Sequence, residues 1–104
     1  MLVTTTPGIE GRSVIEYLGV VTAQGVLGVN AFKDVSAGVR NIFGGRARSY
    51  ENELAGGVSD VLTEIEQQAA QLGADAVIGV DIDYETVGSN MLMVSASGTA
   101  VKLG

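Results

Sequence analysis

Carboxylate and thioether side chains recur along one stretch near the end of the chain, "DIDYETVGSNMLM" at residues 81–93. Residues two apart in an extended strand lie on the same face, about 7 Å apart. Carboxylates at that spacing raise one another's pKa and share a hard cation through oxygen ligands, and thioethers beside them favour a softer ion such as Cu(I). The candidate metal ligands are Asp81, Asp83, Glu85, Met91 and Met93.

Two other interpretations of this stretch stay open. It could be an ordinary sheet surface, where acids discourage edge pairing and methionines fill gaps. The chain could also supply a general acid and base, with Asp81 and Asp83 of this stretch as the pair, or with Glu51 and Tyr50 near the start of the predicted helix. A carboxylate-dependent enzyme would need a cleft and further catalytic groups, and the sequence shows neither a nucleophile elbow nor a metal-protease signature.

A second candidate site is "GGRARSYE" at residues 44–51, just before a long helical pattern. Consecutive glycines can present backbone N–H groups to an anion, and the positive end of a helix adds to the attraction. The pattern is neither a phosphate loop nor a dinucleotide fingerprint, and nearby glutamates could pair with the arginines instead. The candidate ligand-binding residues are Gly44, Gly45, Arg46, Arg48, Tyr50 and Glu51.

The composition excludes several classes of function. With no cysteine and no histidine, the chain can build no disulfide, no thiolate or imidazole metal site and no serine–histidine pair. A net charge of −6 gives it no electrostatic reason to bind nucleic acid or anionic lipid. Without a secretory leader pattern or an apolar run of about 20 residues, we expect a cytoplasmic protein that does not enter membranes.

The charges are distributed unevenly. Most bases lie in the first half, and between Arg48 and Lys102 every charged residue is acidic. A basic half and an acidic half could meet across a head-to-tail contact between identical subunits. A single domain of 104 residues also buries a limited share of its surface, so association would add useful burial.

One long helix is predicted to position both candidate sites, from Ser49 as N-cap to Gly73 at its end, with Glu51 in the first turn. Its apolar stripe should cover one face of a sheet. Two adjacent glycines, Gly56 and Gly57, interrupt it, at a cost of about 1 kcal/mol each relative to alanine. The stripe consists of Tyr50, Leu54, Val58, Val61, Leu62, Ile65, Ala69 and Leu72.

The remaining elements are predicted as strands and one short helix. A short first strand covers residues 2–6, and a strand at 13–29, apolar on both faces, should be covered on both sides. A short helix follows over 31–43. The last third reads as a hairpin, with Ala76, Ile78, Val80, Ile82 and Tyr84 on one face, and with Ile82 opposite Val94 and Asp83 opposite Met93.

The chain resembles the YbjQ-like family of small uncharacterised bacterial and archaeal proteins, which are often labelled as heavy-metal-binding. The resemblance covers one domain, residues 1–104. It implies an α+β fold with a dodecin-like β-α-β-β subunit, in which an antiparallel sheet packs on one long helix, and a homo-oligomeric ring, expected to be a homopentamer. The motifs that carry it are "TTPGIEGRSVIEYLGVV", "GGRARSYENEL", "LGADAVIGVDIDYETVG" and "MLMVSASGTAV".

These expectations combine into a functional hypothesis. We expect a non-enzymatic ring of unknown biochemical activity that binds metal cations or a small ligand, with itself as partner. Because heavy metals prefer thiolate and imidazole, a metal site in this chain has to use carboxylates and thioethers. Binding of an anion or phosphate-bearing ligand at Gly44–Ser49, between subunits, is the alternative, and a carboxylate-dependent enzyme is a further one.

Overall fold

The structure of the protein is a computed structural model that describes the backbone of residues 1–27, 45–88 and 91–104, and the helix side chains from Leu54 onward. These residues form four strands and one helix. They are β1 (Leu2–Val3), β2 (Val14–Leu27), α1 (Gly45–Gln71), β3 (Ala76–Val87) and β4 (Met91–Leu103). The short helix predicted over 31–43, and Gly44, lie outside the described residues.

The strands form one sheet in the order β1-β3-β4-β2. The β3–β4 hairpin is antiparallel, as is the pairing of β2 with β4, whereas the two-residue β1 runs parallel to β3. The predicted α+β class, with a sheet packed on one long helix, is therefore confirmed. The sheet is mixed, because the first strand joins β3 in parallel.

The core lies between α1 and one face of the sheet. Val61, Ile65 and Ala69 of the helix are fully buried against strand residues such as Val21 and Val94. Leu54, Val58 and Leu62 are half-buried at the margin of this core. The predicted stripe is confirmed over this part, but Leu72 is 47% exposed because the helix ends one residue before it.

Both ends of α1 can be compared with the prediction. The helix begins at Gly45 rather than at Ser49, since arginine and alanine are good helix formers and extend it by a turn. Ser49 is therefore not the N-cap, and the first turn holds no acid. At the other end Gly73, at φ +79°, closes the helix as predicted: its N–H bonds to the Ala70 carbonyl and the Ala74 N–H to the Ala69 carbonyl.

A bulge in β3 changes which residues share a face. Gly79 adopts φ +61°, and the pairing with β4 shifts register between Ile78 and Asp81. Val77 and Val80 consequently both face the helix, while Ile78 turns to the other side and packs with Val101. The prediction that Ala76 and Ile78 share the face of Val80 was wrong, because strict alternation fails at a left-handed glycine.

The hairpin register also differs from the prediction. Ile82 pairs with Ala96 and Asp83 with Ser95, two positions from the expected partners. Val87 pairs with Met91, so the connection spans residues 88–90 and begins at Gly88, with φ +66°. A two-residue slip keeps every side chain on its face, so the acids still lie on the side away from the helix.

Candidate functional site

The sheet face away from α1, from Asp81 to the hairpin end, is called the open face. Across it the two registers align residues of β3, β4 and β2 in rows, about 4.8 Å from strand to strand. Two rows are polar throughout, and the third carries one acid and one thioether. The rows are Asp81–Ser97–Thr22, Asp83–Ser95–Gln24 and Glu85–Met93–Val26, and Met91 opposite Val87 follows them.

Asp81 and Asp83 form the electrostatic centre of the open face. A hydrogen bond that the protonated Asp83 carboxyl donates to the Asp81 carboxylate, and next the negative charge of Asp81, raise the pKa of Asp83 above its ordinary value, with smaller contributions from desolvation and Glu85. Ionisation of Asp83 beside Asp81 is therefore unfavourable. A cation placed between them would relieve the same repulsion.

A hollow of about 210 Å³ lies beside Asp83 on the open face. Its walls are Thr22 and Gln24 of β2, Ser95 and Ser97 of β4, and the carboxylate itself. Sequence reasoning did not select these four hydroxyl and amide residues as ligands. The alternation of polar residues along both strands was the signal, but only the three-strand register shows that they meet the acids.

The five predicted metal ligands share the open face but do not converge on one point. Within the described ranges, no three carboxylates, cysteines or histidines form a group that could hold a metal ion. Glu85 lies one row beyond Asp83 and faces Met93 rather than the serines. One chain therefore offers two carboxylates with neighbouring hydroxyl and amide oxygens, and two thioethers farther along.

This donor set fits a hard divalent cation better than a soft heavy metal. Ca²⁺ takes six to eight oxygen ligands from carboxylates, carbonyls and water, and Mg²⁺ keeps several waters. The two polar rows supply such oxygens, with water completing the shell. On this face a soft metal would be limited to the sulfur atoms of Met91 and Met93, since the chain has no cysteine or histidine.

The second candidate site does not form the predicted loop. Gly45, Arg46 and Arg48 lie within α1, so they belong to its first turn rather than to a cradle before it. The loop interpretation was wrong for these three residues because the helix extends upstream over the arginines, whereas Tyr50 and Glu51 lie in the helix as predicted. Their side chains, like all of Gly44, lie outside what the structure describes, and anion binding by them stays a prediction.

The family model for YbjQ, described as "putative heavy-metal-binding", matches residues 1–104 of the chain. The chain belongs to the YbjQ family. A relative named "UPF0145 protein" from Clostridium botulinum (strain Alaska E43 / Type E3) is 55% identical over an alignment of 103 residues, and the match covers 97% of each chain. Neither the description of the YbjQ family nor the name of this relative states an enzymatic reaction or a ligand other than heavy metal.

A solved structure shows the same fold as this YbjQ chain. It is the crystal structure of a protein of unknown function from Pediococcus pentosaceus ATCC 25745, which belongs to the DUF74 family. The TM-score is 0.71 at 23% sequence identity, over 100% of this chain and 98% of the other. In the part that the structure describes, no helix has the length and apolar character to cross a bilayer.

Proposed function

We propose that this YbjQ protein is a non-enzymatic, homo-oligomeric protein that binds a hard divalent cation on the open face of its sheet. The observation that carries the proposal is the Asp81–Asp83 pair with rows of serine, threonine and glutamine oxygens beside it. The description of the family names heavy-metal binding, whereas the donor atoms of this chain favour a hard cation.

Calorimetric titration with Mg²⁺, Ca²⁺ and Mn²⁺, and in parallel with Cd²⁺ and Cu(I), tests this proposal. We expect binding of a hard cation, and Asp83→Asn should weaken its affinity by about tenfold or more. Removal of a residue that only hydrogen-bonds to a metal ligand already lowers metal affinity by about that factor. Asp60→Asn, at an exposed acid of α1, is the matched control and should leave binding unchanged. No heat with any hard cation, or equal weakening in both variants, would refute the proposal.

The oligomer proposal rests on uncovered apolar surface of β2. The sequence predicted cover on both faces of this strand, yet among the described residues its two fully buried side chains, Val21 and Ala23, lie on the same face. On the other face Tyr17 is 72% and Val20 75% exposed, and Val26 lies beyond them. A neighbouring copy that covers these three side chains would remove their apolar area from water. Such burial contributes about 25 cal/mol per Å².

A ring would also repeat the acids of the open face around its axis. Copies of Asp81 and Asp83 that point to a shared lumen would make a negative interior that concentrates cations. The resemblance sets the expected number of subunits at five.

Light scattering after gel filtration tests the assembly and should give the mass of several chains. Val20→Lys should lower this mass, and Gln71→Lys on α1 is the control. A wild type of monomer mass, or a Val20→Lys protein of wild-type mass, would contradict assembly through this face.

A further inference from the structure

A long apolar groove of about 780 Å³ lies between α1 and the β1–β3 side of the sheet, and is called the edge groove. One wall is the helix row Leu54, Val58 and Leu62, with Ser59 and Thr63 on the next row. Leu2, Val3 and Tyr84 form the opposite wall. The helix rises 1.5 Å per residue, so the wall from Leu54 to Glu66 is about 18 Å long.

The groove exists because the sheet is narrower than the helix stripe on this side. α1 lies mainly over β2 and β4, with less contact to β3. β1 is two residues long and pairs with Ala76 and Val77, and the residues after it bond to the β3 backbone only as far as Val80 within the described ranges, so this side of β3 is not covered toward Tyr84. The apolar helix row is therefore left half-buried where a further strand would cover it.

The backbone of β3 is oriented to accept that strand. Val80 N–H points to the β1 side, where it bonds to the Thr4 carbonyl at 3.1 Å. Backbone groups alternate in direction along a strand, so Ile82, Tyr84 and Thr86 also present their N–H and C=O groups to that side. Among the described residues, no strand pairs with β3 there beyond the contacts of β1.

At the opposite edge of the sheet, a helix side chain hydrogen-bonds to the backbone of β2. The side-chain amide of Gln68 accepts a hydrogen bond from Thr22 N–H at 3.3 Å and donates one to the Thr22 carbonyl at 2.7 Å. This amide occupies the centre of the β2 edge in the way that a neighbouring strand would. The two edges are therefore not equivalent, and β3 is the one suited to strand addition.

The side chains around the β3 edge define the chemistry of the incoming segment. Side chains of the segment that point to the helix side of the sheet would contact the edge groove. Those that point to the other side would contact Asp81, Asp83 and Glu85, which alternate along β3 with residues on the groove side. Side chains of an added strand alternate in the same way. We propose that the β3 edge binds an extended partner segment of about five or six residues that alternates apolar and basic side chains, since a strand advances about 3.3 Å per residue.

Each part of the proposal has a physical role. Backbone hydrogen bonds to the edge of β3 fix the direction and register of the segment. The apolar side chains fill the groove against Val58 and Leu62, and the basic ones pair with the acids. The acids on this edge also repel a second copy of the same edge, so they select a segment of opposite charge.

Binding of a capped peptide that alternates valine and lysine, followed by fluorescence anisotropy, tests the proposal. Replacing its lysines by glutamate should abolish binding, because those side chains would face Asp81 and Asp83. Methylating the backbone nitrogens that face β3 should also reduce affinity at least tenfold, although the side chains are unchanged. Equal affinity for the methylated peptide would overturn strand addition.

Protein variants locate the contact. Tyr84→Ala, in the groove, should weaken peptide binding several-fold, whereas Leu72→Ala, at a large apolar side chain of similar exposure outside the groove, should not. If a second copy of the chain fills the groove instead, the wild type will not bind the peptide and Tyr84→Ala will lower the oligomer mass. That result, or equal effects of the Tyr84→Ala and Leu72→Ala variants, would contradict the proposal.

Discussion

Gly98 lies on β4 opposite the bulge of β3, and replacing it by alanine should destabilise the protein. A Cβ atom at this position would lie 2.7 Å from Val77 Cγ1, 3.0 Å from Val80 Cγ2 and 3.3 Å from the Ile78 carbonyl oxygen. Both valines belong to the buried core, and the oxygen belongs to the backbone. The bulge can therefore relieve the overlap only by moving away from β4.

Overpacking of this kind costs about 1–3 kcal/mol. For a domain of this size, 1 kcal/mol shifts the melting temperature by roughly 4–8 °C, so a cost of about 2 kcal/mol corresponds to a shift of roughly 8–16 °C. Thermal unfolding followed by circular dichroism, at a fixed protein concentration, measures it. Because Asp81 is the first residue after the bulge, Gly98→Ala should also weaken cation binding at the open face.

Gly56→Ala is the matched control for Gly98→Ala. Among the described residues, nothing lies within 4 Å of a Cβ built at Gly56, which is exposed in the middle of α1. Alanine there should stabilise the helix by up to about 1 kcal/mol, since it removes the cost of glycine. A Gly98→Ala protein that melts at or above the wild-type temperature would refute the close approach at the bulge.

Three further changes have defined expected results. Gly73→Ala should lower stability by about 1–2 kcal/mol, because φ is +79° there and disfavours a Cβ; denaturant unfolding measures this. Gln68→Ala should lower the free energy of unfolding by about 1–2 kcal/mol, because it removes two hydrogen bonds to Thr22. Gln67→Ala, at the exposed neighbouring residue, should change it little. Because the pKa of Asp83 is raised, its carboxyl binds a proton more tightly in the folded chain than in the unfolded chain. The free energy of unfolding should therefore fall as pH rises from 3.8 through the raised pKa. Asp81→Asn should make the melting temperature less dependent on pH in this range.

The regular elements of the fold follow from local patterns. Apolar spacing of 3.6 residues located α1, and alternation located the hairpin, because both periods repeat over many residues. The bulge at Gly79 could not be found in this way, since a glycine in a strand does not show whether it adopts positive φ. The helix start was misplaced for a related reason: Ser49 is a good N-cap, but the upstream Arg46 and Ala47 also favour helix.

The candidate site was predicted in part. Alternation placed Asp81 and Asp83 together on the face away from the helix, and the structure has them there. The neighbouring oxygen donors, Thr22 and Gln24, come from a strand far away in sequence, so only the pairing of β2 with β4 brings them near. The edge groove likewise depends on the shortness of β1 and on its parallel pairing, which no local pattern reveals.

Anomalous diffraction from crystals of the protein grown with Mn²⁺ tests the central claim most directly. Mn²⁺ accepts the oxygen ligands that the open face offers and can be located by its anomalous signal. We predict a peak between the carboxylates of Asp81 and Asp83, with the hydroxyl groups of Ser95 and Ser97 or bridging waters completing the ligand shell. A peak confined to Met91 and Met93, or no peak on the open face at saturating Mn²⁺, would contradict the account.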